Sequence, residues 1–93
     1  MGKYRVRIEA AAAEDLIKIR KSGRKSDITK IERIFLELAQ HPETGVGKPE
    51  RLKHDLAGLW SRRINDKDRL VYEIIESEVI VSVFSALGHY NDK

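Results

Sequence analysis

The spacing of the apolar residues changes period twice along this chain, and the order of those changes leaves few folds open. Tyr4 to Glu9 alternates apolar and charged side chains, with Tyr4, Val6 and Ile8 set against Arg5, Arg7 and Glu9. That is the period of a half-buried strand. From Ala10 the chain reads AAAAEDLIKIRKSG, a run of good helix formers with cations in its last turn and Gly23 where a helix-ending glycine belongs. Ser26 or Asp27 can then cap a second helix, whose apolar stripe is Ile28, Ile31, Ile34, Phe35 and Leu38. His41-Pro42 stops it. The segment PETGVGKP is turn chemistry throughout. Beyond it the period returns to two, in strands predicted over Leu59–Ile64, Arg69–Ile75 and Val79–Ala86. Turns at Asn65-Asp66-Lys67-Asp68 and Glu76-Ser77-Glu78 separate them.

Helices grouped together beside a strand meander predict an α+β fold. The order is β-α-α-β-β-β, with a largely antiparallel four-stranded sheet and a two-helix hairpin on one face. No repeat or linker interrupts it, so the expectation is a single domain over residues 1–93. Hydrophobic residues at 41% beside charged residues at 35% fit a globular chain rather than a disordered one. Absence of cysteine excludes disulfides and thiolate metal sites. No signal peptide or membrane-length apolar run is present, so a cytoplasmic protein without membrane association is expected. The net charge is +3, with a basic body offset by an acidic end. This favours anionic partners through a term that salt screens.

Strand parity gives the hairpin over residues 59–75 a further property. Residues directly opposite each other share a face, as do alternate residues along a strand. If Trp60 faces Tyr72 across the turn, Arg63 faces Arg69. One face then carries Trp60, Ile64, Leu70, Tyr72 and Ile74, a core face, and the other sets two arginines side by side with Ser61. Like charges directly opposite each other destabilise a sheet unless an anion lies between them. Arg62 points away from Arg63 and reads as structural or surface.

The charged residues around this hairpin are the parts that RNA cleavage by transesterification requires. A base takes the proton of the ribose 2′-OH, an acid protonates the leaving 5′-oxygen, and cations stabilise the phosphorane between them. Arginine suits phosphate because its planar fork of donors matches two oxygens and keeps its charge. The residues alone leave alternatives open. On the residues alone Glu50 reads first as a solvated loop carboxylate, while His89 has the alternative of a surface histidine and Arg69 that of an exposed strand end. His54 reads as a hydrogen-bonded structural histidine. The helical cations Arg20, Lys21, Arg24, Lys25, Lys30 and Arg33 read either as a solvated face or as contacts to RNA backbone. Glu50 and His54, four apart, could share a helical turn, but no third ligand accompanies them for a metal.

The stretch GKPERLKHDLAGLWSRRINDKDRLVYEI, with the terminal GHY, resembles the YoeB branch of the RelE/ParE toxin superfamily. The closest similarity runs from Gly45 to Tyr72, through the pattern KPExLKHxLxGxWSRRIxxxxRLVY. The resemblance implies the toxin of a type II toxin–antitoxin system, a ribosome-dependent endoribonuclease that cuts mRNA and needs no metal or cofactor. By the same resemblance Glu50 would be the general base, His89 the general acid and Arg69 the phosphorane stabiliser. Lys53 and Arg63 would hold phosphate or help orient the base, and Tyr90 would close the site beside the histidine. Leu87 stands where members commonly carry an arginine, and Asn91-Asp92-Lys93 follow Tyr90. The implied partners are the ribosome with its mRNA and a cognate antitoxin laid over the basic groove, with operator DNA reached only through that antitoxin. The alternative on the same fold is a ParE-like toxin that inhibits DNA gyrase by binding alone.

Overall fold

The computed structural model describes residues 3–86. Strand β1 (Arg5–Ile8) leads into helix α1 (Ala10–Ser22) and helix α2 (Lys25–Leu38). Strands β2 (Glu50–Arg51), β3 (Leu59–Arg63), β4 (Arg69–Ile75) and β5 (Ile80–Ser85) follow, with single 3₁₀ turns at His54–Leu56 and Glu76–Glu78. The sheet order is β1-β5-β4-β3-β2, with β1 parallel to β5 and every other pair antiparallel. The sheet thus has five strands rather than four. The extra one, β2, is two residues long and follows Pro49, too short to show a period.

Helix α1 ends as expected, on Gly23 at φ 73° with its N–H bonded to the Arg20 carbonyl. That left-handed conformation is one glycine adopts without a Cβ penalty. Helix α2 corrects the capping expectation. It starts at Lys25 after Arg24, with no side-chain cap bond from Ser26 or Asp27. Asp27 lies within the first turn, where its carboxylate meets Arg24 Nε at 3.4 Å and accepts from Asn65 Nδ2 at 2.9 Å. Its side chain therefore ties α2 to the β3–β4 turn instead of satisfying its own helix.

Both helices lie on one sheet face. Ala12 and Ile19 of α1 and Ile31, Ile34 and Leu38 of α2 form a core with Ile64, Leu70, Tyr72, Val81 and Val83. Each such aliphatic side chain contributes about 1.5–3 kcal/mol on burial. Trp60 and Ile74 pack at its margin, Trp60 stacked on Tyr72 with ring centroids 6.5 Å apart. Among the described residues the opposite sheet face carries no helix, and Glu50, Ser61, Arg63 and Arg69 lie on it. Among the described residues, no helix is long and apolar enough to cross a membrane.

Candidate active site

The β3–β4 register is Trp60 to Tyr72 and Arg63 to Arg69, as parity predicted. The turn that fixes it is built by Asn65. Its Oδ1 accepts the N–H groups of Lys67 and Asp68, both at 2.8 Å, while the Ile64 N–H bonds to the Asp68 carbonyl at 2.9 Å. An Asx turn of this kind sets the crossing point without glycine. The two guanidinium-bearing residues therefore stand opposite each other on the open face. Like charges so placed destabilise the sheet.

Strand β2 brings the carboxylate. Glu50 pairs with Ser61, whose own neighbour across β4 is Val71. Glu50 Oε1 lies 3.9 Å from Arg69 Nη1, with the two side chains 66% and 28% exposed. The contact is at the limit of an ion pair and leaves both groups open to a ligand. Glu50, Ser61, Arg63 and Arg69 line one small pocket, of about 40 Å³, together with Gly47 and Lys48. One carboxylate thus faces three cations, and among the described residues neither Lys48 nor Arg63 has a carboxylate partner. An anion with several oxygens suits this arrangement.

The loop that carries Gly47 to Glu50 is held by Arg62, the neighbour of Arg63 on the opposite face. Arg62 is fully buried, and each of its five N–H groups has an acceptor. Nε donates to Tyr72 Oη at 3.3 Å. Nη1 donates to Glu37 Oε1 at 2.6 Å and the Val46 carbonyl at 3.3 Å, and Nη2 to the carbonyls of His41 at 3.1 Å and Thr44 at 2.7 Å. Tyr72 Oη in turn donates to the Pro42 carbonyl at 2.6 Å. Burial pushes the Glu37 carboxyl up, but the Val46 N–H, Arg62 and Arg33 together outweigh it and hold the group below its ordinary range. One residue further, the Arg63 N–H bonds to the Gly47 carbonyl at 2.7 Å, which docks the loop against β3. Gly47 has φ 83°, and a Cβ there would fall 2.8 Å from the Arg63 carbonyl oxygen. Only glycine fits so close an approach.

Of the residues singled out from sequence, Glu50, Arg63 and Arg69 are brought together. Lys53 is exposed between β2 and the 3₁₀ turn and does not line the pocket. His54 begins that turn while Glu50 is in a strand, so the two do not share a helical turn. His89 and Tyr90 lie outside the described residues. Arg62 proves structural. Among the helical cations, Arg24 and Arg33 are engaged with Asp27 and Glu37. Sequence reasoning gave Lys48 no role, although it opens the pattern KPExLKH that carries the resemblance.

Comparison with known proteins bears on the fold and the family. The model of the family described as YoeB-like toxin of bacterial type II toxin–antitoxin system matches residues 8–90. The toxin YoeB of Streptomyces coelicolor is 45% identical over 78 residues, covering 83% of this chain and 88% of that protein. Among solved structures, the YoeB/ParE toxin from Agrobacterium tumefaciens superposes with a TM-score of 0.81 at 30% identity, over 92% of this chain and 99% of that one. The toxin in the YoeB-YefM complex from Staphylococcus aureus does so with a TM-score of 0.75 at 32% identity, over 94% and 98%. A family match across nearly the whole described chain, with the same helices and sheet in its solved relatives, leaves one assignment: the chain belongs to the YoeB-like toxins of bacterial type II toxin–antitoxin systems.

Proposed function

We propose that this chain is a ribosome-dependent endoribonuclease that cuts mRNA by 2′-OH transesterification and so stops translation. The observation that carries the reading is the facing pair Arg63 and Arg69 with Glu50 beside them on the open sheet face. Glu50 takes the proton of the ribose 2′-OH, and that oxygen attacks the adjacent phosphorus. Arg69 and Arg63 hold the non-bridging oxygens as charge builds on the phosphorane. The 5′-oxygen then leaves with a proton from a general acid, the role that the family resemblance assigns to His89, with Tyr90 beside it. The products are a 2′,3′-cyclic phosphate and a 5′-hydroxyl, and the bond changes need no redox partner. Each acid–base role contributes about 10²–10⁴-fold. Side chains supply every role, so no metal or cofactor is required. Lys53 adds positive charge near the groove.

The Staphylococcus aureus relative was solved as a complex with YefM, which supports a cognate antitoxin for this chain. An acidic or amphipathic segment that folds over the open face would cover the arginine pair and block the substrate. A target on ribosomes places the protein in the cytoplasm.

The test is a defined mRNA programmed on purified ribosomes, incubated with the protein and followed by end-group analysis. New 5′-hydroxyl ends that a kinase labels without prior phosphatase, appearing only with ribosomes, support the reading. If mRNA stays intact while the folded protein still arrests cell growth, a binding-only toxin such as a gyrase inhibitor takes its place.

A further inference from the structure

We propose that Lys48 is an additional RNA-phosphate ligand, gripping the strand from the loop side of the cleft while Arg63 and Arg69 grip it from the sheet. The inference rests on the nuclease reading above and extends it to a residue which the family pattern does not assign a role here. Lys48 lines the same pocket as Glu50, Ser61, Arg63 and Arg69. It is exposed, and among the described residues no carboxylate pairs with it.

Its backbone is the second observation. Lys48 has φ 51°, one of three residues other than glycine with positive φ among those described. A side chain in this region costs about 1–2 kcal/mol against glycine. The same loop does use glycine for positive φ at Gly45 and Gly47. At Lys48, by contrast, a lysine stands where glycine would be less strained, in the lining of a cationic pocket. Backbone strain of this kind concentrates where a side chain must be aimed.

The base of the side chain is also fixed. The Gly47 carbonyl bonds to the Arg63 N–H at 2.7 Å, and Arg62 holds the Thr44 and Val46 carbonyls just upstream. Pro49 restrains the chain on the other side. Lysine offers a compact point charge on a long stem, which suits a phosphate at variable distance, whereas the arginine forks suit the one being cleaved.

The experiment compares Lys48→Gln, Lys48→Arg and Lys48→Gly with wild type in cleavage on programmed ribosomes across a KCl series, with melting temperatures taken in parallel. Lys48→Gln should lower kcat/KM about ten- to a hundredfold, the loss expected for one hydrogen bond to a charged group. The slope of log(kcat/KM) against log[KCl] should become shallower by about 0.7, the value for one phosphate contact on a single strand. Lys48→Arg should retain activity within a few fold. Lys48→Gly should lose as much activity as Lys48→Gln while melting no lower than wild type, since it relieves the left-handed backbone. Lys48→Gln cleaving within about twofold of wild type with an unchanged salt slope would overturn the role. So would a loss that Lys48→Arg shares and that follows melting temperature. An inactive wild type overturns the nuclease reading and this role together, which separates that failure from one confined to Lys48.

Discussion

Replacing Arg62 with methionine removes one side chain and strands several groups at once. In the native protein its guanidinium serves Glu37, Tyr72 and the carbonyls of His41, Thr44 and Val46. Methionine fills most of the volume but donates nothing. Glu37, only 11% exposed, loses its nearest counter-charge, and three loop carbonyls lose a donor. Breaking a buried pair from one side costs about 3–5 kcal/mol, against a total of about 5–15 kcal/mol for a small domain. With about 4–8 °C per kcal/mol for a chain of this size, the melting temperature should fall by roughly 12 °C or more. The assay is urea and thermal unfolding by circular dichroism, with fluorescence of Trp60, the single tryptophan, as a second probe. Arg62→Met combined with Glu37→Leu should recover part of the loss, because a hydrophobic replacement of both partners leaves no stranded charge. The released loop should also cost cleavage at temperatures where Arg62→Met remains folded, because Glu50 rides on that loop. If Arg62→Met lies within about 1 kcal/mol of wild type and cleaves normally, the clamp is not what holds the site together.

Two further outcomes follow from the same geometry. Gly47→Ala would place a methyl group 2.8 Å from the Arg63 carbonyl oxygen at φ 83°, whereas Gly23→Ala meets nothing within 4 Å at φ 73°. Both should lose about 1 kcal/mol to the left-handed backbone, as measured by urea unfolding. Gly47→Ala should lose more than that and cleave poorly, while Gly23→Ala should cleave as wild type. In acid, Glu37 sets the direction. Its folded carboxyl is held below the ordinary value of 4.5, so its contribution to stability is full above that value and is lost as pH falls through the folded one. Glu9, lowered chiefly by the Ser82 hydroxyl, acts in the same sense. Melting temperature should therefore drop steeply below about pH 4.5, and Glu37→Gln, already less stable at pH 7, should show a flatter acid limb in a pH series.

The hairpin was legible because its information is local. Alternation in LWSRRI and RLVYEII, with Asn65 in the turn between them, fixes the register and so the facing arginines. Helix α1 and its glycine were legible for the same reason. Other features depend on partners distant in sequence. Strand β2 exists because Glu50 and Arg51 find Ser61 and Trp60, and a two-residue strand carries no period. Asp27 looked like a cap, but Asn65, 38 residues away, claims its carboxylate. Arg62 read only as structural or surface, because its acceptors come from α2 and a loop whose conformation turn chemistry does not specify. Lys48 was given no role because nothing in its neighbours' types shows that the loop brings it to the pocket of Arg63 and Arg69. Residue types suggested a site for phosphate, and the loop fold decides which cations line the pocket.

The most direct test of the proposed chemistry is the single-turnover rate of mRNA cleavage on programmed ribosomes for wild type, Glu50→Gln and Arg69→Gln, at toxin concentrations that saturate binding. Loss of the base or of the phosphorane-stabilising charge should each slow cleavage by about 10²–10⁴-fold while ribosome binding and melting temperature stay near wild type. Cleavage by Glu50→Gln and Arg69→Gln at rates within a few fold of wild type would show that the cut is made elsewhere on the molecule.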